Sequence, residues 1–295
     1  MNNCKRYSCG LLGILAGLCG GIAGPVSADT FTFLRGDANS NAVNISADGG
    51  AHFINGWTGV YQGQLTTPQG VKTVNLFCTD INHDVYPGNT YQIDLSHNLT
   101  DAAGSLYTSG GNTYYNGGLA SVLASGDFGA IHYDPSQPAS ATNVSWSQRA
   151  SQAAWLADQF QNATQYSGAS GTTDSSKNAS AVNMAIWDIV QDGGDGIHVG
   201  NGKVVTDASG FTNYSNLVNY YEVQAAAHSD YTSTTAKFAQ SPLYQNVTGG
   251  HYQDFIYSTA MPTPEAGTAI ALMLLTSGGI LLGGRRRKAA ASQTA

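Results

Sequence analysis

Residues 178–194 read NASAVNMAIWDIVQDGG, and this stretch decides the fold class. Val182, Ala185, Ile186 and Ile189 recur at the spacing that gathers them on one helical face. Gly193-Gly194 end the pattern as a helix C-cap does, because glycine takes the left-handed conformation without steric cost. A helix over about 178–191 follows. Upstream, Ala150, Ala154, Trp155 and Phe160 repeat the same period over about 145–163, behind Ser145 as N-cap. Downstream, Leu217, Tyr220 and Tyr221 mark a third helix near 213–227. The rest reads as strands: 31–34, 43–45, 60–65, 73–78, 90–95, 244–247 and 252–257, with a turn at Pro87-Gly88. Segments 110–118 and 167–176, rich in Gly, Ser and Thr, read as loops. The expectation is an α+β, β-rich fold of mostly antiparallel strands with about three helices packed on them.

Both ends of the 295-residue chain read as addresses. Lys5 and Arg6 precede an apolar run too short to span a bilayer, and Val26-Ser27-Ala28 supplies small residues before a cut after Ala28. Residues 1–28 are therefore a secretory signal peptide, implying a secretion translocon and signal peptidase. Cys19 would be acylated in a lipoprotein signal, but Leu18 stands where such signals take a small residue. At the other end, 266–284 carries no charge and is long enough for the hydrocarbon core. Arg285, Arg286, Arg287 and Lys288 follow at once and hold that end, with the 289–295 tail, in the cytoplasm. This helix reads as a permanent inner-membrane anchor or as a transient one.

Pro264-Glu265-Ala266, the apolar span and the basic cluster together resemble the PEP-CTERM sorting signal of Gram-negative bacteria, here over 262–288. That family has Pro-Glu-Pro, and Ala266 departs from it in the third place. The resemblance implies recognition by an exosortase, a membrane cysteine protease, and removal of the tail beside Pro264 and Glu265. It also implies delivery to the cell surface or the extracellular space, often with exopolysaccharide production.

Between the two addresses lies the body, about 29–261. Of the chain's 19 acids and 12 bases, 18 acids and six bases fall between Asp29 and Pro264, so the exported part carries a net charge of about −12. Such a surface repels nucleic acid and anionic lipid, and favours cations or neutral glycans. Trp57, Tyr107, Tyr114 and Tyr115 are the candidate exposed aromatics for stacking on sugars, while Trp146, Trp155 and Trp187 fall on helices and read as core.

Cys78 is the one cysteine left after the signal is removed, so it forms no internal disulfide. It reads as a buried small hydrophobe, an intermolecular disulfide partner or a modified thiol. Phe77-Cys78-Thr79-Asp80 on a strand, followed by Ala185-Ile186-Trp187 on a helix, is similar to bacterial thioester adhesin domains over about 57–192. In that family a strand Cys and a helical Gln just before Ala-Ile-Trp form an internal thioester. Asn183 stands where the family has Gln, one methylene shorter, and Gln152 on the preceding helix is the other candidate amide. The resemblance implies a related fold.

No nucleophile elbow, zinc-protease, Walker or dinucleotide motif occurs, and no cofactor motif is present. Glu222 is the sole Glu in the body, which leaves no Glu pair for glycoside hydrolysis, although Asp pairs remain. Asp188, Asp192 and Asp195, with Gly193-Gly194 and Gly196, resemble an oxygen-ligand calcium loop outside the EF-hand spacing. A helix-ending turn needs the same residues. His83, between Asp80 and Asp84, is a weaker metal candidate. The reading is a non-enzymatic surface or extracellular-matrix protein, associated with exopolysaccharide or adhesion. The alternative is a secreted, Asp-dependent polysaccharide hydrolase.

Overall fold

The computed structural model describes residues 29–36, 41–81, 85–95, 97–99, 106–109, 112–120, 122, 144–160, 174–198, 200, 202–241 and 253–259. The signal peptide, His83, the 244–247 segment, the sorting signal with its apolar span, and the basic tail lie outside the described residues. Among the described residues no helix is long and apolar enough to cross a membrane.

The first half of the chain alternates polar and apolar residues, and it forms strands. These are β1 (Thr30–Gly36), β2 (Asn41–Ser46), β3 (Ile54–Thr58), β4 (Tyr61–Thr67), β5 (Gly70–Cys78), β6 (Thr90–Gln92), β7 (Leu106–Ser109) and β8 (Asn112–Tyr115). The helices α1 (Trp146–Phe160), α2 (Ser175–Asp192) and α3 (Ala208–Ala226) follow, with the short β9 (Val205–Thr206) ahead of α3. The final strands are β10 (Ala236–Ala239) and β11 (Phe255–Ser258). The described fold is α+β, and every strand pair is antiparallel.

The main sheet has six strands in the order β10-β11-β5-β4-β1-β6. Its two edges meet: Asp94, just past β6, exchanges backbone hydrogen bonds of 2.8 and 3.0 Å with Gln240, just past β10. A second bridge joins Asn98 to Lys237, so the sheet curls round on itself and leaves little open edge. One face of this sheet carries Phe31, Phe33, Tyr61, Tyr91 and Phe255, packed ring on ring at 5.0–6.4 Å. Gly63 makes room for them. A Cβ there would stand 1.8 Å from Phe31 Cε2, so the ring occupies the space a side chain would fill.

Each helix begins at a side-chain cap. The Ser145 Oγ accepts from Gln148 N while Gln148 Oε1 accepts from Ser145 N, a reciprocal capping box for α1. Asp174 Oδ1 accepts from Ser176 N and Lys177 N, and Asp207 Oδ1 accepts from Gly210 N. These two aspartates start α2 and α3 three and five residues earlier than periodicity alone places them, at 175 rather than 178 and at 208 rather than 213. Gly193 ends α2 with φ 95°, its N–H bonded to the carbonyls of Asp188 and Ile189. Helix α1 packs on β10 and β11, α2 on β2, β3 and β5, and α3 on β2 and β9, while the helices also pack on one another. Alanines 150, 153, 154, 157, 179, 181 and 185 are buried along α1 and α2, which lets the two backbones come close.

Two sequence expectations need correction. The 110–118 loop contains β8, whose Asn112 pairs with Ser109 of β7 across a Gly-Gly hairpin sequence. The 90–95 strand is only Thr90–Gln92, because the chain then leaves to bridge Gln240. Strands β3 and β10 give no clear strand signal in the sequence, β3 because Gly56 interrupts its alternation and β10 because four residues carry too short a pattern.

Candidate functional site

Helix α2 carries Asn183, Asp188 and Asp192 within ten residues, and the fold delivers the amide to β5 and the two carboxylates to the loop that follows the helix. Asn183 reaches the end of β5. Its Oδ1 accepts from the backbone N–H of Cys78 at 3.2 Å, joining the two residues that the thioester resemblance pairs. Cys78 is fully buried and carries a free thiol. Its S–H donates to the Asp80 carbonyl at 2.7 Å, and Asp80 N donates back to the sulfur at 3.2 Å. Burial raises the thiol pKa well above its ordinary value, and the Asp80 carboxylate raises it further. The Trp187 indole, beside the sulfur, offsets a part of that shift. A protonated, buried thiol is neither a ready nucleophile nor open to an intermolecular disulfide. Gln152 is buried on α1 and makes no hydrogen bond to Cys78.

The segment after Cys78 is pinned from several elements. Gln191 Nε2 on α2 donates to the Thr79 carbonyl at 3.4 Å, Gln253 Nε2 donates to the Asp80 carbonyl at 3.0 Å, and Thr79 N donates to the Asp254 carbonyl at 3.0 Å. Asp254 Oδ1 is in turn held by Ser241 N and Ser241 Oγ. This arrangement is a structural knot joining β5, α2 and β11.

One turn further along α2, Asp188 and Asp192 face the loop that follows the helix. Asp188, Asp192 and Asp195 each present a carboxylate oxygen within 4.8 Å of the others. The loop is built to allow it: Gly193, Gly194 and Gly196 all have positive φ, at 95°, 81° and 94°. Gly196 N donates to Asp188 Oδ2 at 2.8 Å, and Lys203 N and Val204 N donate to Asp192 Oδ2 at 2.7 and 2.9 Å. Gly202 presses its backbone against the group. A Cβ there would stand 2.4 Å from Asp192 Oδ2 and 2.6 Å from Asp195 Oδ1.

Glu222 of α3 joins the three aspartates, and sequence reasoning missed it. Its Cγ lies 3.9 Å from where a Cβ on Gly194 would be, and its carboxylate sits against Asp188. Burial, reinforced by Glu222, pushes the Asp188 pKa well up, and burial with the Asp188 charge does the same to Asp192. Burial pushes Glu222 up to about 7. The missed signal was position: Glu222 shares the buried stripe of α3 with Val218 and Ala225, where a charged residue is out of place.

A third feature lies on the outer face of the small sheet β3-β2-β9. Trp57 is 61% exposed and pairs across the sheet with Ala42. Beside it on the same face, Asn44 pairs with Asn55. Asn55 Nδ2 donates to Asn44 Oδ1 at 3.1 Å, and Asn44 Nδ2 donates to Asp207 Oδ2 at 2.8 Å. The result is an exposed indole next to an ordered row of amides and a carboxylate. Tyr61 holds β3 in place by donating its hydroxyl to the Trp57 carbonyl.

The other aromatic expectations divide. Tyr114 is buried, which corrects its assignment to an exposed loop, and the side chains of Tyr107 and Tyr115 lie outside the described residues. Trp187 is core, while Trp146 stacks under Arg149 at 4.4 Å and Trp155 stacks on His228 at 4.1 Å, both partly buried against the core. The chain matches no protein-family model, no curated protein and no solved structure.

Proposed function

We propose that this chain is a non-enzymatic protein of the cell surface or extracellular matrix, exported by a Gram-negative bacterium and sorted by its PEP-CTERM-type tail. Its partners on the way are the secretion translocon, signal peptidase and an exosortase-type protease at the inner membrane. At its destination the body holds a neutral glycan of the exopolysaccharide class against the outer face of β2 and β3. The observation that carries this reading is Trp57, 61% exposed, beside the hydrogen-bonded row Asn55, Asn44 and Asp207. An aromatic face stacks on the apolar face of a sugar ring, and amides with a carboxylate match its hydroxyls. The body's negative charge disfavours anionic polymers and leaves neutral glycans acceptable.

Two features support binding rather than turnover. Asp188, Asp192 and Glu222 are 0–7% exposed, beyond the reach of a polymer lying on the surface. The Cys78 thiol is equally buried and held protonated.

Retention on immobilised neutral polysaccharides tests the proposal. Trp57→Ala should weaken retention by at least about threefold, since stacking contributes about 0.5–1.5 kcal/mol beyond the area it covers. Stability should change by less than about 0.5 kcal/mol, because the side chain is exposed. Equal retention of the parent and variant would remove this face from the account. Release of new reducing ends from any of the polysaccharides would assign the chain instead as an Asp-dependent hydrolase.

A further inference from the structure

We infer that Asp188, Asp192 and Asp195, with Glu222 packed against Asp188, form a binding site for a divalent cation, calcium by ligand type and size. The three aspartate oxygens, within 4.8 Å of one another, fit a calcium coordination sphere, in which ligands about 2.3–2.6 Å from the ion stand up to about 5 Å apart. Magnesium draws its ligands to about 2.0–2.1 Å and retains several waters, which suits a wide all-carboxylate cage poorly.

A cluster of acids alone would not carry this inference. Glu222 supplies the independent observation, because it comes from another helix, is 7% exposed, and leaves Oε1 buried with no group but the Asp188 carboxyl against it. Asp188 Oδ1 is likewise buried, on a side chain with no exposure. Buried carboxylates are normally satisfied, as two others among the described residues are. Asp158 receives the hydroxyls of Tyr231, Ser233, Thr235 and Ser258. Asp254 receives Ser241 N and Oγ. At the α2–α3 junction the backbone amides of Gly196, Lys203 and Val204 orient Asp188 and Asp192 by one oxygen each. Negative charge gathers here from Asp188, Asp192 and the half-buried Asp195, with Glu222 against Asp188. A divalent ion neutralises it and accepts oxygen ligands.

The ion would tie the end of α2 to α3 and to the 195–204 loop, which leads directly into β9 and its pairing with β2. The inference concerns the folded body and stands apart from the glycan and sorting proposals.

Calorimetric titration of the full chain with calcium chloride, carried to about 10 mM because extracellular modules bind at about 10⁻⁴–10⁻³ M, tests it. Saturable heat is expected. The melting temperature should rise by about 5–10 °C between chelator and a calcium concentration about 100 times Kd. Glu222→Gln and Asp195→Asn should each lower the affinity by about tenfold or more. In chelator, Glu222→Gln should melt at or above the parent's temperature, because it removes like-charge repulsion while keeping the shape. A merely structural Glu222 would lower the melting temperature equally with and without calcium. Absence of heat, identical melting in calcium and chelator, or parent-like titration of both variants would overturn the site.

Discussion

Trp187→Ala is expected to lower folding stability by about 3–5 kcal/mol and to expose the Cys78 thiol. Trp187 is among the largest fully buried side chains, and it sits beside the sulfur of Cys78 on the face of α2 that meets β5. Truncation to alanine leaves a cavity that the surrounding strands and helices can only partly refill. In the parent protein iodoacetamide should label Cys78 only after denaturation, since the thiol is buried and bonded to the Asp80 carbonyl. In Trp187→Ala it should label under native conditions. Trp187→Phe should cost much less, about 1–2 kcal/mol, because it retains most of the volume. Urea unfolding with parallel mass measurement of the alkylated protein checks both effects. A chain lighter by one ammonia and resistant to label even when denatured would instead show a thioester.

Gly118→Ala should be comparably severe, at about 3 kcal/mol or more, for a different reason. A Cβ at Gly118 would stand 1.8 Å from the Asn98 carbonyl oxygen and 2.7 Å from that of Leu99. Both are backbone atoms, so no side-chain rotation relieves the collision. The same contact region matters for the sheet, because Ala120 N donates to the Leu99 carbonyl and Asn98 bridges Lys237. Displacing 97–99 should therefore loosen the seam between β6 and β10. Hydrogen exchange would register this as faster exchange of the Asp94 and Gln240 amides, which bond across that seam. A parent-like urea midpoint together with unchanged exchange would contradict the packing described here.

The helices were legible from sequence because each repeats its apolar residues over several turns, and Gly193-Gly194 gave α2 a clear end. Their starts were less legible. Asp174 and Asp207 cap α2 and α3, but both helices begin with polar residues that carry no apolar period. Strands β4, β5 and β11 showed in their branched and aromatic residues, whereas β3 and β10 were too short or too interrupted to signal. Closure of the main sheet was invisible, since it rests on backbone pairs between Asp94 and Gln240, far apart in sequence. The acidic site was half legible. Asp188, Asp192 and Asp195 share one local pattern, while Glu222 arrives through the packing of α3 on α2. Similarly, the juxtaposition of Cys78 with Asn183 was indicated by resemblance, but the hydrogen-bonded anchoring of the thiol required the fold.

Delivery of this acidic body past the inner membrane is the claim on which the proposed role depends, and intact-mass and terminal sequencing of the protein recovered from its native cells tests it most directly. The account predicts a mature chain outside the cytosol that begins at Asp29 and has lost the residues beyond the Pro264-Glu265 junction. A cytosolic protein that retains its first 28 residues would contradict it.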